Sequence, residues 1–365
     1  MGEYKIQNLI TRNFRNLHPV NINFSERINC IFGDNGNGKT NILEAIYFLI
    51  NKKSFRKNNA FPQILSIDSE KSQIIISALF SKNNSEKISV SVKMECEENL
   101  WSINGKVKKT DEEIGVVFVN PFDSYNFYNQ SSFRRNWFDA NISQLNTEYK
   151  NGLKRYQKAL KFRNILLAKR PNKLVEQIAA IDVEIGILSE MICKKRVDFI
   201  KDLNLHLNDI FKKIFAEEYK IELSLNSKFM SLSSNQITKK MGENLSKELK
   251  NGRTISGIHL DDYIILFNQM NSYEYCSLGQ QKMSYLGLLF AYIELFRYKY
   301  GSYPIVLIDD ISGELDRYRW SRFIKFLEKG KFQVLITTAN ENFKDELDKI
   351  IGVNKIFIKS GQVCN

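Results

Sequence analysis

The spacing of hydrophobic positions changes along the chain, and each change predicts a different kind of element. Period-two alternation in "QIIISALF" (73–80), "KISVSVKM" (87–94) and "GVVFVN" (115–120) predicts β-strands, with Asn104-Gly105 as a tight turn. Upstream, "RINCIFG" (27–33) reads as a short buried strand, followed by "TNILEAIYFLI" (40–50), whose apolar residues at 42, 43, 46, 49 and 50 follow helical spacing. From about 133 to 169 the pattern is helical and stops at Pro171. A second helical stretch runs from about 172 to 215, with Pro171-Asn172 as the turn between them. "YKIELSL" (219–225) returns as a strand, and "YIILFN" (263–268) is expected to re-enter the first layer. "CSLGQQKMSYLGLLFAYIEL" (276–295) begins small and polar, with Ser277 as a helix N-cap, and continues as an apolar helix. "YPIVLIDD" (303–310) is an apolar run ending in two aspartates, the form expected of a central strand covered on both faces.

Composition adds limits. With 365 residues, 43% hydrophobic and 26% charged, the chain has enough apolar material for one large core or two ordinary ones. The longest apolar runs, such as "LGLLFAYIELF" (286–296), are interrupted by Glu294 and fall well short of the ~20 residues a membrane span needs. The start, "MGEYKIQNLITRNFRNL", lacks the charged-then-apolar order of a secretory signal. Cys30, Cys96, Cys193, Cys276 and Cys364 are scattered and odd in number, as reduced thiols are, and the three histidines are dispersed. A cytoplasmic protein without a membrane segment is the expectation. The net charge of +12 is concentrated: residues 121–256 hold 24 Lys and Arg against 15 Asp and Glu. A basic segment in a nucleotide-binding protein favours a polyanion, most simply nucleic acid, although charge runs are also ordinary solvated faces.

The nucleotide is implied by "GDNGNGKTN" (33–41), which fits G-x-x-x-x-G-K-[ST] between a strand and a helix. The loop Gly33, Asp34, Asn35, Gly36, Asn37, Gly38 would turn backbone N–H groups around phosphate oxygens at the positive end of the helix that follows through Asn41. Lys39 would reach the β- and γ-phosphates, and the Thr40 hydroxyl would ligate Mg2+. The carboxylates at 309 and 310 would be costly at a buried strand end unless they met a cation. Asp309 is therefore the Mg2+-side carboxylate, and Asp310 stands where a residue polarising the attacking water would sit. The order of "SLGQQ" loop, long helix, "IDD" strand and "SGELD" turn (312–316) is that of ATP-binding-cassette proteins. There, the loop here formed by Ser277, Gly279, Gln280 and Gln281 caps a γ-phosphate bound to a second subunit.

The whole chain resembles the RecF family of bacterial recombination-mediator ATPases, related to the SMC-type ATPases. The resemblance runs through "RNFRNL" (12–17), "GDNGNGKTNILEAIYFL" (33–49), "NPFD" (120–123), "SSFRRNWFD" (131–139), "GIHLDD" (257–262), "SLGQQK" (277–282) and "LIDDISGELD" (307–316). Departures are the missing arginine in Gly257-Ile258-His259-Leu260-Asp261-Asp262, Gly313 where serine is usual, and Thr337-Thr338 near where many cassette ATPases place a switch histidine. The resemblance implies an α/β fold: an ABC/SMC-type P-loop ATPase head with a mixed sheet, interrupted by a compact helical lobe. The helical stretches are too short for an SMC coiled-coil arm. The expected boundaries are a head of 1–120 plus 255–365 and a basic lobe of 121–254. It implies weak ATP hydrolysis used as a switch, ATP-dependent homodimerisation, DNA binding (double-stranded, gapped or at single-strand junctions), and RecR and RecO as partners in loading recombinase at gaps or stalled forks. Arg134, Arg135, Lys154, Lys158 and Lys161 are the DNA-contact candidates, with Arg155 and Arg163 nearby; 154, 158 and 161 share one helical face. "KKSFRK" (52–57) is a second basic candidate. A rival reading is an SMC-like ATPase subunit of a defence or toxin system acting through a protein effector.

Overall fold

A computed structural model describes residues 2–56, 61–67, 72–83, 85–96, 98–107, 114–120, 122–215, 218–310, 316–339 and 352–364. The chain divides into two compact units. One comprises 1–122, 213–216 and 286–365; the other comprises 123–212 and 217–285.

In the first unit, β1 (Tyr4–Arg12), β2 (Val20–Asn23), β4 (Ile74–Lys82), β5 (Glu86–Met94), β6 (Asn99–Ile103) and β7 (Lys106–Val107) form an antiparallel sheet in the order β2-β1-β4-β5-β6-β7. Buried and half-buried residues alternate along β4 and β5 because one face lies on the core. Asn104 and Gly105 take positive φ, as the two-residue turn between β6 and β7 requires. A second sheet is built from β3 (Ile28–Phe32), β8 (Val116–Val119), β12 (Ile305–Ile308), β13 (Val334–Thr338), β14 (Asn354–Lys359) and β15 (Gln362–Cys364), ordered β15-β14-β3-β13-β12-β8. Its pairs are parallel except for the β14–β15 hairpin. Every residue of β3, β12 and β13 is buried, and β12 reads as a continuous apolar run.

Helix α1 (Lys39–Asn51) puts Ile42, Leu43, Ala45, Ile46, Phe48 and Leu49 into a core shared with both sheets. The short α2 (Phe61–Ile64) adds Ile64 to it, and α10 (Arg317–Lys329) buries Trp320, Phe323, Ile324 and Leu327. Gln333 joins the layers directly: its buried side-chain amide accepts from Ile6 N (2.8 Å) and donates to Ile6 O (2.8 Å) and Ser25 O (2.7 Å).

The second unit is mainly helical: α3 (Asp123–Asn129), α4 (Ser131–Leu145), α5 (Thr147–Lys169), most of α6 (Leu174–Ile214), α7 (Ser234–Asn251), α8 (Ser272–Tyr275) and the start of α9 (Leu278–Tyr300). The single helical stretch expected from 133 to 169 is two helices. Asn146 breaks it in an extended conformation, and its side chain accepts from Tyr149 N as the N-cap of α5. The expected return to the head at 255 also differs. β10 (Asp262–Phe267) pairs with β9 (Ile221–Asn226) along its whole length and with β11 (Met270–Asn271), so "YIILFN" belongs to a three-stranded sheet of the second unit. The division falls later, inside α9.

Buried ion pairs organise this unit. Arg196, 1% exposed, meets Asp261 Oδ2 and Asp139 Oδ1, each at 2.7 Å. Arg163, fully buried, meets Asp182 and Glu248, each at 2.6 Å. Burial raises the Asp261 pKa against the opposing pull of Arg196. His259, bonded through Nδ1 to the Tyr156 hydroxyl (2.9 Å), is pushed down to about 4, first by burial and then by neighbouring arginines. The "GIHLDD" stretch is thus a structural junction, with Leu260 exposed at the position of the missing arginine.

Truncating one member of such a pair leaves an uncompensated buried charge, which costs about 3–5 kcal/mol. Arg196→Met is expected to destabilise the protein by that amount in urea unfolding, with the m-value retained. A loss under about 1 kcal/mol would show that Asp139 and Asp261 find other partners.

Candidate functional site

The carboxyl ends of β3, β13 and β12 lie side by side and deliver the P-loop, Thr337-Thr338 and Asp309-Asp310 to one edge of the sheet. Parallel sheets place ligands at this end. The loop leaves β3 at Gly33, where an added Cβ would lie 2.3 Å from Ile358 O. It enters α1 at Gly38, which has φ +101 and would meet Leu17 at 2.8 Å. Both positions therefore require glycine. The crest, from Asp34 through Asn35 to Gly36, is exposed, and a Cβ on Gly36 would touch nothing within 4 Å.

Lys39 is buried at the mouth of the loop. Its Nζ donates to the carbonyls of Gly33 (2.7 Å) and Asp34 (3.0 Å). Burial lowers its pKa, offset by the charges of Asp310, Asp309 and Asp34. The Thr40 hydroxyl donates to Asp309 Oδ1 (2.8 Å), so residues far apart in sequence meet. Thr337 Oγ1 donates to the same oxygen (2.7 Å) and accepts from Asp310 N (3.0 Å). Burial raises the Asp309 pKa, and the hydrogen bonds from Thr337 and Thr40 oppose it. A hydroxyl and a carboxylate oxygen in contact at a phosphate loop are the hard donors Mg2+ accepts, so Thr40 and Asp309 fit a Mg2+ site.

Several bracing residues were not singled out from sequence. Asn16 Nδ2 donates to Gly36 O (2.7 Å), and Asn41 Nδ2 donates to Asn16 Oδ1 (2.6 Å). On another side the β14–β15 turn holds Asn37: Ser360 N donates to its side chain and Gly361 N to its carbonyl, both at 3.1 Å. Glu44, fully buried on α1, receives Arg15 through both carboxylate oxygens (3.1 and 2.6 Å), Arg56 (3.0 Å) and Ser54 (2.6 Å). A carboxylate inside the apolar pattern of "TNILEAIYFLI" was its legible signal. Nothing local marked the Ser360-Gly361 turn.

Ser277, Gly279, Gln280 and Gln281 lie in the second unit at the start of α9. Ser277 and Gln280 make a reciprocal capping box: Gln280 N donates to Ser277 Oγ (3.3 Å), and Ser277 N donates to Gln280 Oε1 (2.9 Å). Ser277, Leu278 and Gly279 are exposed, with open space around Gly279. Gln281 turns back toward the carbonyls of Ser272 and Cys276. Residues 312–315 of the "SGELD" turn lie outside the described residues; Asp316 caps α10 by accepting from Arg319 N (2.9 Å).

The basic candidates separate sharply. Arg134 is 6% exposed and bound through two nitrogens to both oxygens of Asp262, each at 2.7 Å, so it braces the lobe and does not face solvent. Arg163 is likewise internal. Arg135 is half-buried and donates to Asp261 O (2.9 Å). Lys154, Lys158 and Lys161 are exposed along α5, and Lys150 extends their line by one turn. In the second cluster, Lys52 lies over the Trp101 ring and Arg56 is turned to Glu44, while Lys57 lies outside the described residues.

A P-loop after one parallel strand, an aspartate pair after another, and an adjoining antiparallel sheet define the head of an SMC-type P-loop ATPase of the ATP-binding-cassette class. An SMC head domain from Pyrococcus furiosus shares the fold (TM-score 0.58, 16% identity, covering 99% of this chain and 95% of that one). Residues 5–359 match the RecF/RecN/SMC N-terminal domain family, and the chain belongs to the RecF family. It is 32% identical to the DNA replication and repair protein RecF of Clostridium beijerinckii, over 99% of this chain and 98% of the relative. Identity to RecF of Clostridium perfringens is 31%, over 94% and 96%. It also superposes on the solved recombination mediator protein RecF-ATPrS in the RecFOR pathway (TM-score 0.84, 26% identity, covering 99% and 98%).

The hairpin brace can be tested at Gly361, which has φ +76 and whose added Cβ would lie 2.0 Å from Asn16 O. Gly361→Ala is expected to cost about 1–3 kcal/mol by strain alone and to lift the turn from Asn37. Melting temperature and affinity for an ATP analogue should fall together. Unchanged affinity would show that the loop holds its shape without the hairpin.

Proposed function

We propose that this protein is a Mg2+-dependent, weakly hydrolysing ATPase that dimerises around ATP and binds DNA in replication and recombinational repair. The observation that carries the reading is the meeting of Thr40, Asp309 and Lys39 at the phosphate loop. Its relatives are named DNA replication and repair proteins, which favours this reading over a defence-system ATPase.

The loop amides and Lys39 bind the β- and γ-phosphates. Mg2+, when held by Thr40 and Asp309, supplies charge neutralisation for the transferring phosphoryl group. Asp310 orients the attacking water. Ser277, Gly279, Gln280 and Gln281 close the site from a second subunit, so that two nucleotides are buried in a two-fold dimer. Loss of the γ-phosphate then releases the partner, and ATP sets the residence time on DNA. The exposed lysine line of α5 supplies sequence-independent phosphate contacts. Recombinase loading at gaps or stalled forks with RecR and RecO, in the cytoplasm, completes the reading. No helix among the described residues is long and apolar enough to cross a membrane.

Trans-closure is tested by Ser277→Arg, which should still bind ATP but fail to dimerise or hydrolyse it. Lys39→Ala should lose ATP affinity. A mixture of the two inactive proteins contains one intact composite site per mixed dimer, so phosphate release should partly return. Normal ATP-induced dimerisation of Ser277→Arg, read by light scattering, would reduce "SLGQQ" to a capped helix start.

For DNA, Lys154→Glu, Lys158→Glu and Lys161→Glu together should weaken duplex binding and leave ATP affinity unchanged. Each lost contact flattens the slope of log affinity against log salt by about 0.9. An unchanged slope would return the lysines to an ordinary solvated face.

A further inference from the structure

The threonine pair ends β13 between the P-loop strand and the aspartate strand, and Thr337 makes contacts that the proposed mechanism has not used. Its side chain is fully buried between the P-loop strand and the aspartate strand. A hydroxyl has one proton to give and lone pairs to receive, and Thr337 uses both. The proton goes to Asp309 Oδ1 at 2.7 Å, and the oxygen accepts the Asp310 backbone N–H at 3.0 Å. Asp309 Oδ1 also receives Thr40 at 2.8 Å, so two hydroxyls from two elements converge on one carboxylate oxygen.

The second contact falls at an unusual point of the chain. Asp310 sits at φ +40, in the left-handed region that a residue with a Cβ rarely enters. Such a conformation persists where its surroundings over-determine it. The peptide N–H of Asp310 is held by Thr337, and that of Asp309 by Val119 O at 2.9 Å. The backbone of both aspartates is thus tied to neighbouring strands.

We propose that Thr337 is the positioning residue of the hydrolytic step, its single hydroxyl setting both the Asp309 carboxylate and the strained Asp310 backbone. The inference rests on the ATPase reading of the site. A Thr40 oxygen that ligated Mg2+ would give a lone pair to the cation, whereas Thr337 has no such second duty. Thr337 is therefore the donor devoted to keeping this carboxylate in register. Its other contact keeps Asp310 from relaxing toward ordinary backbone angles, which would swing its carboxylate away from the site. Valine has threonine's shape but neither function; serine keeps both functions in a smaller side chain.

The test compares the parent protein with Thr337→Val, Thr337→Ser and Thr337→Cys. The measurements are affinity for a fluorescent ATP analogue without and with Mg2+, phosphate release at saturating ATP, and melting temperature. Thr337→Val is expected to lower kcat roughly 10- to 100-fold, the effect of losing a hydrogen bond to a charged group, with metal-free analogue affinity unchanged. The Mg2+ concentration that half-saturates analogue binding should rise. Thr337→Ser should restore kcat and Mg2+ response toward the parent. If valine unfolds the strand, the serine–cysteine pair makes the same comparison in similar volumes, with serine active and cysteine impaired. A valine variant with parental kcat and Mg2+ response would overturn the proposal, as would serine impaired as much as cysteine. A parent protein that binds no ATP would instead remove the reading on which the proposal stands.

Discussion

The hydrogen bond from Thr40 to Asp309 is the interaction on which the rest of the candidate site depends. It ties the first turn of α1 to the end of β12 across β13, joining elements from opposite ends of the chain. A carboxylate buried at this depth is unfavourable without donors, and burial raises its pKa. Two hydroxyls compensate, one from the P-loop helix and one from Thr337. Lys39 stands in the same field, its charge disfavoured by burial and supported by Asp310, Asp309 and Asp34. The site therefore sets a buried cation beside partly buried carboxylates, a condition under which a polyphosphate and a divalent cation bind well.

Rigidity comes from outside the loop. Asn16, the Ser360-Gly361 turn and the Glu44 cluster fix the P-loop from several directions, and none of them belongs to the glycine-rich motif. Glu44 illustrates the principle: a charge inside an apolar helix face is tolerated because two arginines and a serine meet it. The second unit uses the same device on a larger scale, with Arg134, Arg163 and Arg196 each paired to carboxylates. Arg134, Arg163 and Arg196 are thus internal structure, while other basic residues, the lysine line of α5 among them, are turned outward, which explains how one segment can be both a packed scaffold and a basic surface.

Membership of the RecF family places these features in a setting where ATP and DNA are handled together. The site's asymmetry suits a switch: the phosphate loop and aspartate pair belong to one unit, while the exposed start of α9 belongs to the other. In the proposed reading the two parts complete one another between subunits, so nucleotide state and assembly state are a single variable.

By itself the sequence determined the parts whose chemistry is local. The P-loop, the buried "IVLI" strand with its aspartates, the paired strands β4 and β5 and the long helix 174–214 could all be read from spacing, because period and turn chemistry act over a few residues. The tertiary structure decided what each charge does. Arg134 and Lys154 are equally basic in sequence, yet one is buried against Asp262 and the other faces solvent. β10 joined β9 and not the head, because strand pairing is settled by partners distant in sequence. Thr337 carried no motif of its own. Its role arises only where three parallel strands end together, because hydrogen bonding depends on position in space, and neither composition nor periodicity records it.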